Sequence, residues 1–332
     1  MRLSAFQPSR LAQLPTPLDP APRLQSHLGG PRLFVKRDDL TGLGLGGNKA
    51  RKLEFLLGEA QAQGADTILT VGALQSNHAR QTAAACAKLG LKCELILRRG
   101  HHASESYLGN GNVLLDRLFG ARLTIIESGA SREETMQERA GELRDAGARP
   151  YLIPVGGSCI TGNLGYVACA EEMLRQAGEA GLTLDAVVLA TGSGGTHAGL
   201  VAGFLALKAP TRVIGIAVEG TRADQESAVY DLAADTALHL GITRPLPRDA
   251  VAVLDEFVGQ GYAKPTMAMR AALGIAARLE GIVLDPVYTG KAMSGLIGLV
   301  QRRYFRPDEN VVFLHTGGVP GLFAYPETVA TI

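Results

Sequence analysis

Eight short β-rich runs, each bounded by turn residues, alternate along this chain with Ala- and Leu-rich stretches of helical period. They are RLFVK (32–36), DTILTV (66–71), CELIL (93–97), RLTIIE (122–127), YLIPV (151–155), DAVVLA (185–190), RVIGIAV (212–218) and VVFLH (311–315). Between them lie helix candidates such as KARKLEFLLGEAQAQ (49–63) and HARQTAAACAKLG (78–90). That alternation is how a parallel sheet covered by helices reads in sequence, so the fold class is α/β. At 332 residues the chain exceeds what one core usually serves, which predicts two packed units with a cleft.

Four of the strands end directly in Gly- or Ser-rich turns: VGALQSN, PVGGS, ATGSGGT and HTGG. Ligands of open parallel sheets bind beyond the carboxyl ends of the strands, so these turns are expected to converge on one site. Hydrophobic residues at 46% and charged residues at 20% exclude a disordered chain. A formal net charge of +1 supplies no field to collect nucleic acid or anionic lipid, which leaves a small-molecule partner. The four cysteines form no C-x-x-C pair, and Cys86, Cys93 and Cys169 read as buried thiols. No stretch approaches about 20 apolar residues and the N-terminus lacks a signal-peptide core, so a cytoplasmic protein is expected. No metal is expected.

Four segments carry chemistry. In GLGLGGNKARKLEF (42–55) a glycine run delivers Lys49 to the start of an amphipathic helix, where the positive helix end favours a neutral, nucleophilic amine suited to a Schiff base. The same three basic residues, Lys49, Arg51 and Lys52, also suit a solvated face. AVVLATGSGGTHAGL (186–200) runs from a buried strand through a glycine turn into a helix, a device that holds phosphate on backbone amides without a cationic side chain. It does not match G-x-G-x-x-G, because Gly192, Gly194 and Gly195 are followed by Thr196 and His197. In GALQSNHARQTAAACAKLG (72–90), Ser76, Asn77 and His78 stand at a strand-to-helix turn fit to grip a carboxylate, or simply to cap a helix. DPVYTGKAMSGL (285–296) and FLHTGGVPGLF (313–323) offer the Tyr288 ring and the neutral Thr316 hydroxyl, both equally at home in a core or a turn.

Taken together, LPTPL (14–18), KRDDLTG (36–42), GGNKARKLEFL (46–56), QSNHARQTAA (75–84), NGNVLLD (110–116), RPYLIPVGGS (149–158), GSGGTHAGL (192–200), LDPVYTGKAM (284–293) and HTGGVPGLFAY (315–325) resemble the fold-type II enzymes of pyridoxal 5′-phosphate (PLP). The resemblance covers almost the whole chain, and it is to the branch containing 1-aminocyclopropane-1-carboxylate (ACC) deaminase and D-cysteine desulfhydrase. It implies a tryptophan synthase β-like fold with two parallel-sheet domains and the cofactor in the cleft between them. The large domain would comprise 1–49 and 166–332, and the small inserted one 50–165.

The resemblance also implies the roles. Lys49 would hold PLP as a Schiff base, the turn Thr191, Gly192, Ser193, Gly194, Gly195 and Thr196 would cradle its phosphate, and Asn77 would contact its phenolic oxygen. Ser76, Asn77, His78, Gly157 and Thr289 would meet the substrate, Tyr288 would stack near the ring with a catalytic part alongside Lys49 and Ser76, and Tyr262 would approach the substrate. Thr316 would face the pyridine nitrogen. Where the deaminase motif reads DPVYEGK this chain has Thr289, and where the deaminase has Gln after Ser-Asn it has His78. A threonine in place of a carboxylate leaves a weaker electron sink, which suits loss of a good leaving group better than opening a cyclopropane.

The resemblance therefore implies β-elimination, with D-cysteine as substrate and homodimers as the assembly. Lys49 would remove the Cα proton, and hydrosulfide, pyruvate and ammonia would be released. L-cysteate sulfo-lyase is the nearest rival, disfavoured by apolar Cys159 and Ile160 beside the substrate turn. ACC deaminase follows. An NAD-dependent oxidoreductase lacks its acidic residue, since Glu219 falls too far beyond Ser193, and pyruvate release would separate an enzyme from a mere PLP carrier.

Overall fold

The structure is a computed structural model, and it describes residues 6–100 and 104–330. Ten strands form two sheets: β1 (Leu18–Pro20), β2 (Arg32–Lys36), β3 (Thr67–Ala73), β4 (Lys92–Arg98), β5 (Arg122–Ile126), β6 (Pro150–Ile153), β7 (Ala186–Thr191), β8 (Arg212–Ala217), β9 (Ala252–Leu254) and β10 (Asn310–Leu314). The larger sheet has the order β1-β2-β10-β7-β8-β9, parallel except for the antiparallel β1–β2 edge. The smaller has the order β5-β4-β3-β6 and is parallel throughout. It is drawn entirely from the stretch between β2 and β7.

Every parallel neighbour needs a crossover, and the helical stretches supply them. The central strands of the larger sheet are apolar on both faces because both are covered. Helices Pro22–Leu28, Met267–Glu280 and Thr289–Gln301 pack on one side. Ile160–Glu179, Gly195–Ala206 and Arg222–His239 pack on the other. The smaller sheet lies between Lys49–Ala62 with Asn77–Leu89 on one face and Arg132–Asp145 on the other. Cys86, Cys93 and Cys169 are buried free thiols and Cys159 is partly buried.

All eight strands read from sequence form, and β1 and β9 are added to them. Each of the two has only three residues at a sheet edge, too few to show a period. The basic run at Lys49 is not a solvated face: Arg51 and Lys52 are fully buried, and Lys49 opens on a cavity.

Candidate active site

The carboxyl ends of both sheets open on one cavity of about 590 Å³. All four glycine- and serine-rich turns contribute to its wall, through Ser76, Gly156, Gly192 and Thr316 among others. The N-terminal ends of the helices Lys49–Ala62, Asn77–Leu89, Gly195–Ala206 and Thr289–Gln301 reach it through Lys49, Asn77, Thr196 and the cap residue Tyr288. Unpaired N–H groups and helix dipoles make such ends favourable to anions, so the cavity suits a ligand bearing more than one negative group.

Lys49 is fixed through its neighbours. Thr41 Oγ1 bonds both the N–H and the carbonyl of Gly47, at 2.7 and 2.9 Å. The Asn48 amide N–H donates to the Thr316 carbonyl, and Ala50 N–H donates to Gln81 Oε1. Lys49 Nζ donates to Asn48 Oδ1 at 3.0 Å, while Asn48 Nδ2 donates to Thr196 Oγ1 at 2.9 Å. The amine is thereby tied to the glycine turn across the cavity. Burial, reinforced by the Arg80 guanidinium and opposed by Asp285, lowers the Lys49 pKa to about 8. A sizeable fraction of the amine is then neutral and nucleophilic near neutral pH.

At the facing helix, Ser76 Oγ accepts from Ala79 N–H at 3.1 Å, so the serine is an N-cap and lines the cavity as well. Asn77 Oδ1 accepts from Asn112 Nδ2 at 3.0 Å, which leaves the Asn77 NH₂ free to donate. Thr70 Oγ1 gives its proton to the Ile153 carbonyl, so His78 must donate from Nε2 to Thr70, and its Nδ1 is a bare acceptor. Burial and the nearby Lys49 and Lys52 hold His78 well below the ordinary imidazole range.

Tyr262 and Tyr288 line the same cavity with their hydroxyls 2.5 Å apart and their rings crossing at 71°. Burial raises both phenols above their usual range, so both stay protonated. Tyr288 is aimed by Asp285, whose carboxylate accepts from the N–H groups of Val287, Tyr288 and Thr289 and from the Thr289 hydroxyl, at 2.7–2.9 Å.

The Thr191–Thr196 turn carries a feature the sequence reading missed. A Cβ on Gly195 would come within 2.7 Å of Lys52 Nζ and Ser158 Oγ, so the turn packs directly on a lysine. Lys52 Nζ donates to Ser158 Oγ and to the Gly156 carbonyl, and Ser158 Oγ in turn donates to Ser193 Oγ. A lysine amine therefore stands directly behind the anion cradle, contrary to the expectation of amides alone. Three residues after Lys49, it lies one helical turn away, which was the available signal. Thr191 Oγ1 is buried without a partner at the strand end that enters this turn, and an orphaned donor just ahead of a helix N-terminus fits a phosphate dianion.

Of the other expected site residues, Asn77, Gly192, Ser193, Gly194, Thr196 and Thr316 face the cavity. Three do not line it. Gly195 spends its N–H on Ser158 Oγ, and Gly157 lies beneath the wall, against Leu56 and His78. Thr289 is fully buried with its hydroxyl bound to Asp285, so it cannot touch a substrate. Cys159 and Ile160 are also outside the wall, whereas Arg98, Arg99, Arg132 and Lys264 are in it. The expectation that apolar side chains would disfavour an anionic substituent therefore fails, because basic ones line the cavity instead.

Three buried imidazoles, His78, His197 and His315, are all held below the ordinary range by burial, His197 to about 4. The unfolded chain takes up these protons first. Stability is therefore fully present above the unfolded value of about 6.5 and is lost as pH falls below it, by up to about 1.4 kcal/mol per pH unit for each group. Urea unfolding at pH 7 and pH 5 should show a clear drop in midpoint, smaller in His197→Gln; equal midpoints would refute this.

Known proteins resemble the chain over nearly its whole length. The chain is 45% identical over 325 residues to a D-cysteine desulfhydrase of Yersinia enterocolitica, covering 95% of this chain and 97% of the relative. A D-cysteine desulfhydrase of Klebsiella pneumoniae is 44% identical, with 97% of each chain covered. A crystal structure described as an ACC deaminase homologue superposes with a TM-score of 0.88 at 38% identity, covering 99% of this chain and 97% of that one. The family model for pyridoxal-phosphate-dependent enzymes matches residues 10–317, which include every residue lining the cavity, and the chain belongs to that family.

Proposed function

We propose that the enzyme is a carbon–sulfur lyase that converts D-cysteine and water to pyruvate, hydrogen sulfide and ammonia. The observation that carries this reading is the placement of a partly neutral Lys49 amine in one cavity with a protonated Tyr262–Tyr288 pair and the Ser76 helix end. The two relatives named above are D-cysteine desulfhydrases.

The cofactor is pyridoxal 5′-phosphate. Lys49 would bind its aldehyde, Asn77 NH₂ its phenolic oxygen, and the 191–196 turn with Lys52 its phosphate. When bound, its ring takes up the electron pair left as the Cα proton departs. Lys49 serves as the base for that proton, because its amine needs little free energy to be neutral. Ser76 Oγ keeps its own proton after capping Ala79, and with the Asn77 and His78 amides it grips the substrate carboxylate. The tyrosine pair holds two phenol protons and offers one towards the departing sulfur. Thr316 lines the cavity and would offer the pyridine nitrogen a neutral hydroxyl, while Thr289, bound to Asp285, is out of reach.

One observation favours a second reading. Arg98, Arg99, Arg132 and Lys264 make the cavity wall basic, which suits the sulfonate of L-cysteate. A pyruvate assay on D- and L-cysteine, L-cysteate, D- and L-serine, β-chloro-D-alanine and ACC decides between them. The highest kcat/KM is expected for D-cysteine. A higher value for L-cysteate would replace it with the sulfo-lyase, and faster α-ketobutyrate release from ACC with the deaminase.

The reading extends to a large unit of 1–49 and 166–332, a small one of 50–165, and a cytoplasmic homodimer. Support for the dimer comes from Met267, 90% exposed at an apolar groove with Ile275 and Leu279. Among the described residues no helix is long and apolar enough to cross a membrane.

A further inference from the structure

Lys291 is fully buried on the helix Thr289–Gln301, three residues after Tyr288. Its Nζ donates to the carbonyls of Val258 and Gly261, both at 2.8 Å. Those carbonyls belong to the loop between β9 and the helix Met267–Glu280, which carries Tyr262. The loop backbone is irregular there: Gly261 has φ 130° and Ala263 φ 55°. Its own backbone turns run from the Val258 N–H to the Asp255 carbonyl and from the Lys264 N–H to the Gly261 carbonyl. Glu219 and Asp285 act on the ammonium only at longer range, and burial lowers its pKa to about 8. A buried lysine that meets carbonyls and no carboxylate is costly unless those bonds matter, and an apolar side chain would pack the same space more cheaply.

One helical turn thus presents Tyr288 directly and reaches Tyr262 through Lys291. We propose that Lys291 is a positioning residue, clamping the 258–264 loop so that the Tyr262 hydroxyl meets Tyr288 over the bound amino acid. The role rests on the reading of Tyr262 as a substrate-facing group. Lys291 touches neither substrate nor cofactor. It acts by preventing the loop from drawing its tyrosine out of the cavity.

The test is a double-mutant cycle on the holoenzyme with Lys291→Met, Tyr262→Phe and the double variant, assayed with D-cysteine, or with the best substrate of the panel. Each single change should lower kcat/KM, Lys291→Met chiefly by raising KM and by up to about 100-fold, the scale of a displaced site group. The double variant should be no worse than the weaker single, because the clamp has nothing left to place. Hydrogen exchange of amides 258–263 should quicken in Lys291→Met and stay unchanged in Tyr262→Phe. Losses that multiply in the double variant, or an unaffected Lys291→Met enzyme, would overturn the proposal. An unimpaired Tyr262→Phe enzyme would instead refute the reading of Tyr262 itself. Should Lys291→Met fail to fold, Lys291→Gln, which retains a donor too short for both carbonyls, carries the same cycle.

Discussion

Replacing Lys49 with alanine is expected to lower turnover by at least about 100- to 10,000-fold, the contribution of a positioned general base, while leaving the fold intact. The chain also offers a sharper chemical check, because Lys52 is a second buried lysine with a depressed pKa one helical turn away. The two differ in access. Lys49 opens on the cavity, whereas Lys52 Nζ is held by Gly156 and Ser158 beneath the glycine turn. Borohydride reduction of the holoenzyme should therefore fix the cofactor to residue 49 and leave residue 52 unmodified in the peptide mass map. A tag on residue 52, or none on residue 49, would remove the chemical basis of the assignment.

Arg51→Met should unfold the protein more readily than any other single change on the same helix, by about 3–5 kcal/mol. Arg51 is fully buried and binds Asp38 through Nε and Nη2, both at 2.9 Å, and Glu172 through Nη1 and Nη2. Burial pushes the Asp38 carboxyl up, but Arg51, the Tyr166 hydroxyl and Lys36 outweigh it and hold the group below its ordinary value. Lys36 completes the network on Glu172, Gln176 and the Thr16 carbonyl. Methionine would leave Asp38 and Glu172 buried and short of a partner, against a total stability of about 5–15 kcal/mol. Urea denaturation measures it. A loss below about 1 kcal/mol would show that the network is dispensable.

Much of this was legible in the chain because it is local. The buried runs of the central strands, the glycine turns that follow them and the placement of Lys49 at a helix start are short-range patterns, and the structure forms them where they were read. What escaped is set by partners far apart in sequence. Arg51 and Lys52 look like a basic surface until Asp38, Glu172 and Ser158 are brought to them from 13, 121 and 106 residues away. Thr289 stands where the related motif has its glutamate, yet Asp285 claims its hydroxyl and turns it into the core. Neither Cys159 nor Arg132 announces which of them faces the cavity.

Beside Lys49 the chain behind the wall is packed glycine against glycine. A Cβ on Gly317 would fall 2.6 Å from the Gly47 Cα, so these two backbones touch directly, and one on Gly318 would strike the Asp285 carboxylate at 2.8 Å. Such a contact leaves no room for enlargement on that flank. Divergence towards new substrates within this scaffold must then proceed elsewhere in the cavity, where the side chains of Arg98, Ser128 and Arg132 form the wall. Directed evolution should recover its beneficial changes there and find the glycine seam intolerant.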